Sequence, residues 1–326
     1  VAPRTCRTIE IIRGGTHDGP GLRTTVFLKG CSLACDWCQN PEGISPRQEV
    51  WWDERTCIGC NECIDACPTG ALVAADEGVV RDRERCDACG ACVDACPALA
   101  MTFTGRDWTL DALMKEALKD RDYYRAFGGG VTVSGGEPLC QYPFVAEFFR
   151  RLREVGVHTA LDTCGSVPAQ ALAAVLPHTD HVLFDIKFMD SALHGQHTGH
   201  GNGETLANLL AIADHIRAVG TESMALWIRT PLIPDVTATP ENLAAIGRFI
   251  QEHLADLVER WELCAFNGAC RTKYERLGLS WRYADQPLLE QRTVSALRAA
   301  ALSTGIAEDR LVVSGLIAKD GSDSDG

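Results

Sequence analysis

The chain has 326 residues, 46% of them hydrophobic and 23% charged, with a net charge of -13. That length suits one α/β barrel-like domain plus a compact module, and the acidic balance argues against a nucleic-acid-binding surface, which would carry a basic stripe. No stretch approaches the roughly 20 consecutive apolar residues of a membrane span, and the N-terminus shows no basic segment leading into an apolar one, so no membrane partner and a cytoplasmic location are expected. Sixteen cysteines without a secretory signal argue for metal binding over disulfides, because a reducing cytosol keeps thiols free.

In chain order, the β-branched and aromatic run Thr24-Thr25-Val26-Phe27-Leu28-Lys29 reads as a strand. A loop carrying Cys31, Cys35 and Cys38 leaves its end with the spacing C-x3-C-x2-C. Three thiolates suit a cluster whose fourth iron has no protein cysteine, and an open iron is where chemistry can happen. Residues 51–104 then carry Cys57, Cys60, Cys63 and Cys67 before Pro68, and, 29 positions on, Cys86, Cys89, Cys92 and Cys96 before Pro97. This C-x2-C-x2-C-x3-C-P run marks bacterial two-cluster ferredoxins, in which the fourth cysteine of each run ligates the other cluster. Structural zinc, held by two separated pairs, is the competing reading; four cysteines packed into eleven positions suit a cubane better. The repeat predicts a pseudo-twofold inserted module with short helical turns after each cysteine run.

From Leu110 onward, helical and strand-like segments alternate. Thr109 can cap a helix through Leu110, Leu113, Ala117 and Leu118, with Asp111 in its first turn. Val131–Val133, His158–Leu161, Val182–Ile186, Ala225–Arg229, Glu262–Ala265 and Leu311–Val313 read as strands, and Phe144–Val155 as a helix. Such alternation implies parallel pairing with right-handed crossovers. The expected architecture is α/β, a partial (β/α)6 barrel built from residues 1–50 and 105–318, interrupted by the module at 51–104 and followed by a disordered tail at 319–326. Ligands of a parallel sheet gather at the carboxyl ends of its strands. Polar sequences cluster there: the cysteine loop, Ser134-Gly135-Gly136-Glu137-Pro138, Asp162-Thr163, Asp185-Ile186-Lys187, Arg229 and Asn267.

These motifs carry a resemblance. Thr16-His17-Asp18-Gly19-Pro20-Gly21-Leu22-Arg23 leading into Phe27-Leu28-Lys29-Gly30-Cys31, Trp37 before Cys38, and the later Ser134–Pro138 run resemble a radical S-adenosylmethionine (radical SAM) enzyme. More narrowly, they resemble the activating enzymes of glycyl radical enzymes, the group typified by pyruvate formate-lyase activase. The cysteine-rich insert is similar to that of the subgroup serving glycerol or choline lyases, arylacetate decarboxylases and arylsuccinate synthases.

The resemblance implies three 4Fe-4S clusters on the eleven cysteines named above, with S-adenosylmethionine chelated at the Cys31/Cys35/Cys38 cluster. Those three cysteines and Lys187 are the candidate catalytic groups. Trp37 is expected against the adenine, the alternative being a core aromatic. Gly135 and Gly136 would let the backbone approach the methionyl amino group, with Glu137 shaping that pocket; an ordinary turn is the alternative. Asp185 and Lys187, two apart on a strand, share a face and are placed at the cofactor, or else form a strand-end ion pair. Gln39, Ile186 and Phe188 join the same implied pocket, as does Arg229, whose alternative is a surface salt bridge. Asp162, Thr163 and Asp185 match positions implied to hold a monovalent cation by oxygen ligands. Asn267 stands where the family commonly has a histidine; it can hydrogen-bond but cannot change charge near neutral pH, while Lys273-Tyr274-Glu275-Arg276-Leu277-Gly278 fits the family again.

Cys6, Cys140, Cys164, Cys264 and Cys270 have no ligand spacing and read as buried or incidental thiols. His194, His197 and His200 sit in a glycine-rich loop and are not expected to bind metal. The implied partners are a glycyl radical enzyme as protein substrate and a flavodoxin or ferredoxin as reductant. Two other functions stay open: radical chemistry on a small molecule, and an electron carrier with a structural barrel.

Overall fold

The computed structural model describes residues 5–76 and 78–321. Its strands are β1 (Thr5–Gly15), β2 (Arg23–Leu28), β3 (Glu49–Trp52), β4 (Leu72–Ala75), β5 (Gly78–Arg81), β6 (Met101–Thr104), β7 (Arg106–Thr109), β8 (Gly130–Gly135), β9 (His158–Thr163), β10 (His181–Asp185), β11 (Ala225–Leu232), β12 (Val258–Ala265) and β13 (Leu311–Ser314). Nine of them form one sheet in the order β13-β12-β11-β10-β9-β8-β2-β1-β7.

From β2 through β13 this sheet is parallel. Its seven parallel strands coincide with the seven strand runs read from the sequence, one more than a (β/α)6 barrel counts, with β13 pairing on β12 at the outer edge, and its two end strands do not pair with each other. β2 is buried along nearly its whole length, as a parallel strand covered on both faces must be. Helices Tyr142–Glu154 and Pro240–His253 are among the crossovers, the first burying Phe144, Phe148, Phe149 and Leu152 against the sheet. Thr109 caps helix Leu110–Ala117, its hydroxyl accepting from Ala112 N at 3.3 Å. β1 and β7, which were not foreseen, extend the sheet antiparallel beyond β2.

Within the cysteine-rich segment, β3 pairs with β6 and β4 with β5. The pairing with β6 starts at Glu49, two residues before the boundary expected at 51. The short helices Glu62–Asp65 and Ala91–Asp94 lie inside the cysteine runs and not after them. Each starts from a left-handed residue, Asn61 at φ 63° and Gly90 at φ 89°, which turns the chain tightly enough to bury Cys63 and Cys92. Of the expected tail, residues 322–326 lie outside the described residues. Asp320 is tied to the barrel, accepting from Arg292 N at 2.8 Å. Among the described residues, no helix is long and apolar enough to cross a membrane.

The amino ends of the parallel strands are closed by a polar stack. Arg23 is fully buried, its guanidinium donating to Thr132 Oγ1 at 2.6 Å and Val131 O at 2.8 Å, with His158 Nδ1 at 3.3 Å. His181 lies edge-on to Trp227 at 4.6 Å, and the Arg260 guanidinium covers the other part of that indole at 3.9 Å. Burial pushes His158 down to about 4 and His181 to about 3, with neighbouring positive groups adding to the effect. Both imidazoles are therefore neutral when folded and titrate near 6.5 when unfolded. Their contribution to stability is complete above pH ~6.5 and is lost as pH falls toward 4, because the unfolded chain then binds more protons. The unfolding free energy from urea titration should fall between pH 7.5 and 5, by on the order of 1–2 kcal/mol per histidine. A His158→Asn/His181→Leu variant measured in parallel should show a flatter pH dependence.

Candidate active site

Opposite the closed floor, at the carboxyl ends of the strands, lies a cavity with about 1100 Å³ of atom-free space, part of it open to solvent. Cys31, Cys35 and Cys38 line it together with Gly135, Gly136 and the predicted charged residues Asp162, Asp185, Lys187 and Arg229. Trp37 and Gln39 complete one wall.

The cysteine loop is fixed from several sides. Gly30 N donates to Gly43 O, Cys31 N to Ile44 O at 3.0 Å, and Ala34 N to Thr198 O at 2.8 Å. Asp36 accepts from Tyr283 OH and pairs with His197 Nδ1 at 3.0 Å, so His197 serves the loop's position. On the far side, helix Arg271–Leu277 presents Tyr274, whose hydroxyl donates to Cys38 O at 3.0 Å, and Lys273, which pairs with the buried Glu42 at 2.7 Å. Burial pushes the thiols of all three cysteines up, Cys31 to about 12, so each needs a strong positive charge beside it to ionise.

Lys187 donates to Asp185 Oδ2 at 2.6 Å, and both side chains face the cavity. Arg229 reaches Asp162 Oδ2 at 3.3 Å and Glu262 Oε2 at 3.7 Å. It is a cavity residue and not a surface ion pair, and its Nε has no hydrogen-bond partner. Ser134 Oγ donates to Asp162 Oδ2 at 2.7 Å. Burial raises Asp162 to about 6 against the pull of Arg229.

Other predicted residues lie in or behind the cavity wall. A Cβ on Gly135 would collide with the Leu28 backbone, and one on Gly136 with the Gly30 carbonyl. These glycines let β8 close on the base of the cysteine loop, a packing need that precedes any approach to a ligand. Glu137 does not face the cavity. It is fully buried and accepts from Leu139 N, Thr163 Oγ1, Cys164 N and Cys164 Sγ at 2.8–3.1 Å. Ile186 and Phe188 are buried beneath the wall, Ile186 N donating to Arg229 O and Phe188 stacking on His197 at 5.7 Å. Trp37, 5% exposed, is a core aromatic of the same cluster that also lines the cavity. Asn267 turns its Oδ1 to Ala269 N at 3.0 Å, and only its carbonyl meets the wall, through Gln39 Nε2 at 3.1 Å. The expected cation ligands Asp162, Thr163 and Asp185 all line the cavity, where Thr163 gives its hydroxyl to Glu137 and Asp162 and Asp185 pair with Arg229 and Lys187. Cys164 and Cys264, read as buried or incidental thiols, line the cavity, Cys164 being buried as well; their places at strand ends beside Asp162-Thr163 and after Glu262 were the available signal.

In the module, Cys57, Cys60 and Cys63 with Cys96 line one space, and Cys86, Cys89 and Cys92 with Cys67 line another, each about 310 Å³ of atom-free space that is partly open to solvent. The fourth cysteine of each run thus crosses to the other space. Among the described residues, no three His, Cys, Asp or Glu side chains are placed to hold a single metal ion. Sets of four thiols around a space of that size, and three around the main cavity, fit iron-sulfur clusters better than zinc.

Residues 25–245 match the family described as the Radical SAM superfamily. The chain is 38% identical over 278 residues to the (2S)-3-sulfopropanediol dehydratase activating enzyme of Klebsiella oxytoca, covering 84% of this chain and 86% of the relative. It is 33% identical over 301 residues to the pyruvate formate-lyase 2-activating enzyme of Escherichia coli, covering 92% and 90%. Among solved structures, a radical SAM methyltransferase from Sphaerobacter thermophilus shares the fold with a TM-score of 0.51 at 14% identity, over 95% of this chain and 73% of that one.

Glu137 is the brace of the wall, and its removal leaves Thr163 and Cys164 donors buried without an acceptor. Glu137→Ala should lower stability by about 2 kcal/mol or more. Chemical unfolding checks this, and Glu137→Asp, which keeps an acceptor, should recover part of the loss.

Proposed function

Because this chain belongs to the radical SAM superfamily and, within it, to the glycyl radical enzyme activating enzymes, we propose that it generates the stored radical of a partner glycyl radical enzyme. The observation that carries this reading is one cavity bordered by three thiols and two cation–carboxylate pairs. Cys31, Cys35 and Cys38 would hold the reactive 4Fe-4S cluster. When loaded and given one electron, that site supplies reductive cleavage of S-adenosylmethionine to methionine and a 5′-deoxyadenosyl radical, which takes a Cα hydrogen from one glycine of the partner and leaves as 5′-deoxyadenosine.

The protein groups bind and orient. The methionyl end of S-adenosylmethionine carries both an ammonium and a carboxylate. A site with Lys187–Asp185 and Arg229–Asp162 can exchange its internal partners for that zwitterion without burying net charge, avoiding the cost of an unpaired buried ion. Arg229 Nε, ion-paired with Glu262 at 3.7 Å but making no hydrogen bond, is a donor in reserve. Trp37 offers the adenine an aromatic face, and the apolar cluster behind it, with Phe188 and Phe266, holds that face in place. The module would hold two further 4Fe-4S clusters on its two crossed sets of four cysteines, as a ferredoxin-type insert accepting electrons from a flavodoxin or ferredoxin.

Anaerobic iron and sulfide analysis of the loaded protein, with dithionite-driven cleavage followed in the same sample, tests this directly. About twelve irons per chain and 5′-deoxyadenosine formation are expected, with a glycyl doublet in electron paramagnetic resonance when the partner is present. About eight irons without cleavage would mean that the Cys31 loop holds no working cluster. Cleavage with no glycyl doublet on any candidate partner would favour chemistry on a small molecule. Lys187→Met should raise the S-adenosylmethionine concentration needed for half-maximal cleavage roughly tenfold or more, the loss of one buried charged hydrogen bond.

A further inference from the structure

The two cysteine-lined spaces of the module are related by the same offset of 29 that relates the cysteine runs. Val79 and Met101 line the first where Val50 and Leu72 line the second. The pattern breaks at several places, among them Ile58 at the first space against Asp87 at the second and Asn61 against Gly90. Trp52 borders the first space and Arg81 takes the equivalent place at the second; Ala98 borders the first and Thr69 the second.

Arg81 is half-buried, and its Nη2 is shielded from solvent with no hydrogen-bond partner. The nearby carboxylate of Glu49 is committed elsewhere, to Lys29 and Arg83. Thr69 Oγ1 lies 3.6 Å from Cys67 Sγ, to which it can donate once that sulfur is a ligand. One opposing charge is present: Asp87 also borders the second space, but it is exposed and accepts from Cys89 N, so water screens it far more than it screens Arg81.

We propose that Arg81, helped by Thr69, makes the site of Cys67, Cys86, Cys89 and Cys92 the higher-potential of the two module sites, so that a single electron in the module rests there. Adding an electron to a cluster adds negative charge, which a buried cation and a hydrogen bond to a ligand sulfur both stabilise. The other site has polar groups of its own in Asn61 and in the buried, unpartnered Trp52 Nε1, but no cation among its lining residues. The electron comes from an external low-potential one-electron carrier, and its position fixes which module site can pass it on. The proposal rests on the cluster-bearing module proposed above.

The test is a redox titration of the loaded full-length chain followed by electron paramagnetic resonance. The contribution of the Cys31 site is identified by its change on adding S-adenosylmethionine. The module signals should reduce in two separate steps. Arg81→Gln should lower the upper step alone, Arg81→Lys should restore it, and Thr69→Ala should lower it by a smaller amount. If Arg81→Gln fails to load iron, Thr69→Ala and Arg81→Lys carry the comparison. About twelve irons per chain with both module sites reducing together, or an upper step unmoved by these substitutions, overturns this proposal alone. About four irons overturns the cluster-bearing module and this proposal with it.

Discussion

The close approach of β8 to the end of β2 is the constraint on which the site depends. Two strand ends meet with no side chain between them, because Gly135 and Gly136 leave room for the backbone of Leu28 and Gly30. Gly136 N then donates to Leu28 O at 2.9 Å and Glu137 N to Gly30 O at 2.8 Å. These bonds fix the root of the cysteine loop to the strand that begins the opposite wall. The buried carboxylate of Glu137 continues the same brace into β9 through Thr163 and Cys164. A loop with three cavity-lining thiols is thereby held by main-chain hydrogen bonds and one fully satisfied carboxylate, a rigid arrangement of the kind that positioned chemistry requires.

The two ends of the sheet handle charge in opposite ways. At the floor, Arg23 is buried on neutral oxygens and imidazole, and the histidines around it are kept uncharged. At the mouth, cations and carboxylates are kept charged in pairs, Lys187 with Asp185 and Arg229 with Asp162. The floor arrangement is satisfied and static. The mouth pairs are satisfied only internally, and a ligand bringing charges of both signs can replace each partner in turn. Buried pairs of this kind contribute little net stability, so their placement is better explained by binding than by folding.

Much of this was legible in the sequence because it rests on short-range patterns. Cysteine spacing, the strand runs and the two-residue step from Asp185 to Lys187 fix local geometry, and local geometry brought these residues to the cavity. What was not legible depends on contacts far apart in the chain. The role of Glu137 lies in donors 26 and 27 residues away. Asn267 is turned aside by its own loop, a choice no motif encodes. β3 needs β6, some fifty residues on, to become a strand at all. β1 was missed for another reason: Thr5–Gly15 mixes charged and apolar residues, with only its first part strongly buried, so its pattern is that of an edge-side antiparallel strand rather than of the buried runs that follow.

The module and the barrel share one buried electrostatic joint. Lys29, two residues before Cys31, has a fully buried side chain that pairs with Glu49 at 3.0 Å, and it also donates to Glu42 O. Glu49 in turn binds Arg83, which reaches Leu277 O at 3.1 Å, and Asp53 binds Arg276 at 2.6 Å. β3 is thus fastened to the root of the cysteine loop at one end and to helix Arg271–Leu277 at the other. That same helix grips the loop through Lys273 and Tyr274. An insert tethered only by its two chain crossings would be free to swing, and any separation between its cysteines and those of the loop would be an average. Here the ion pairs form a closed ring through loop, strand and helix. The distances among the three sets of thiols are therefore properties of the fold.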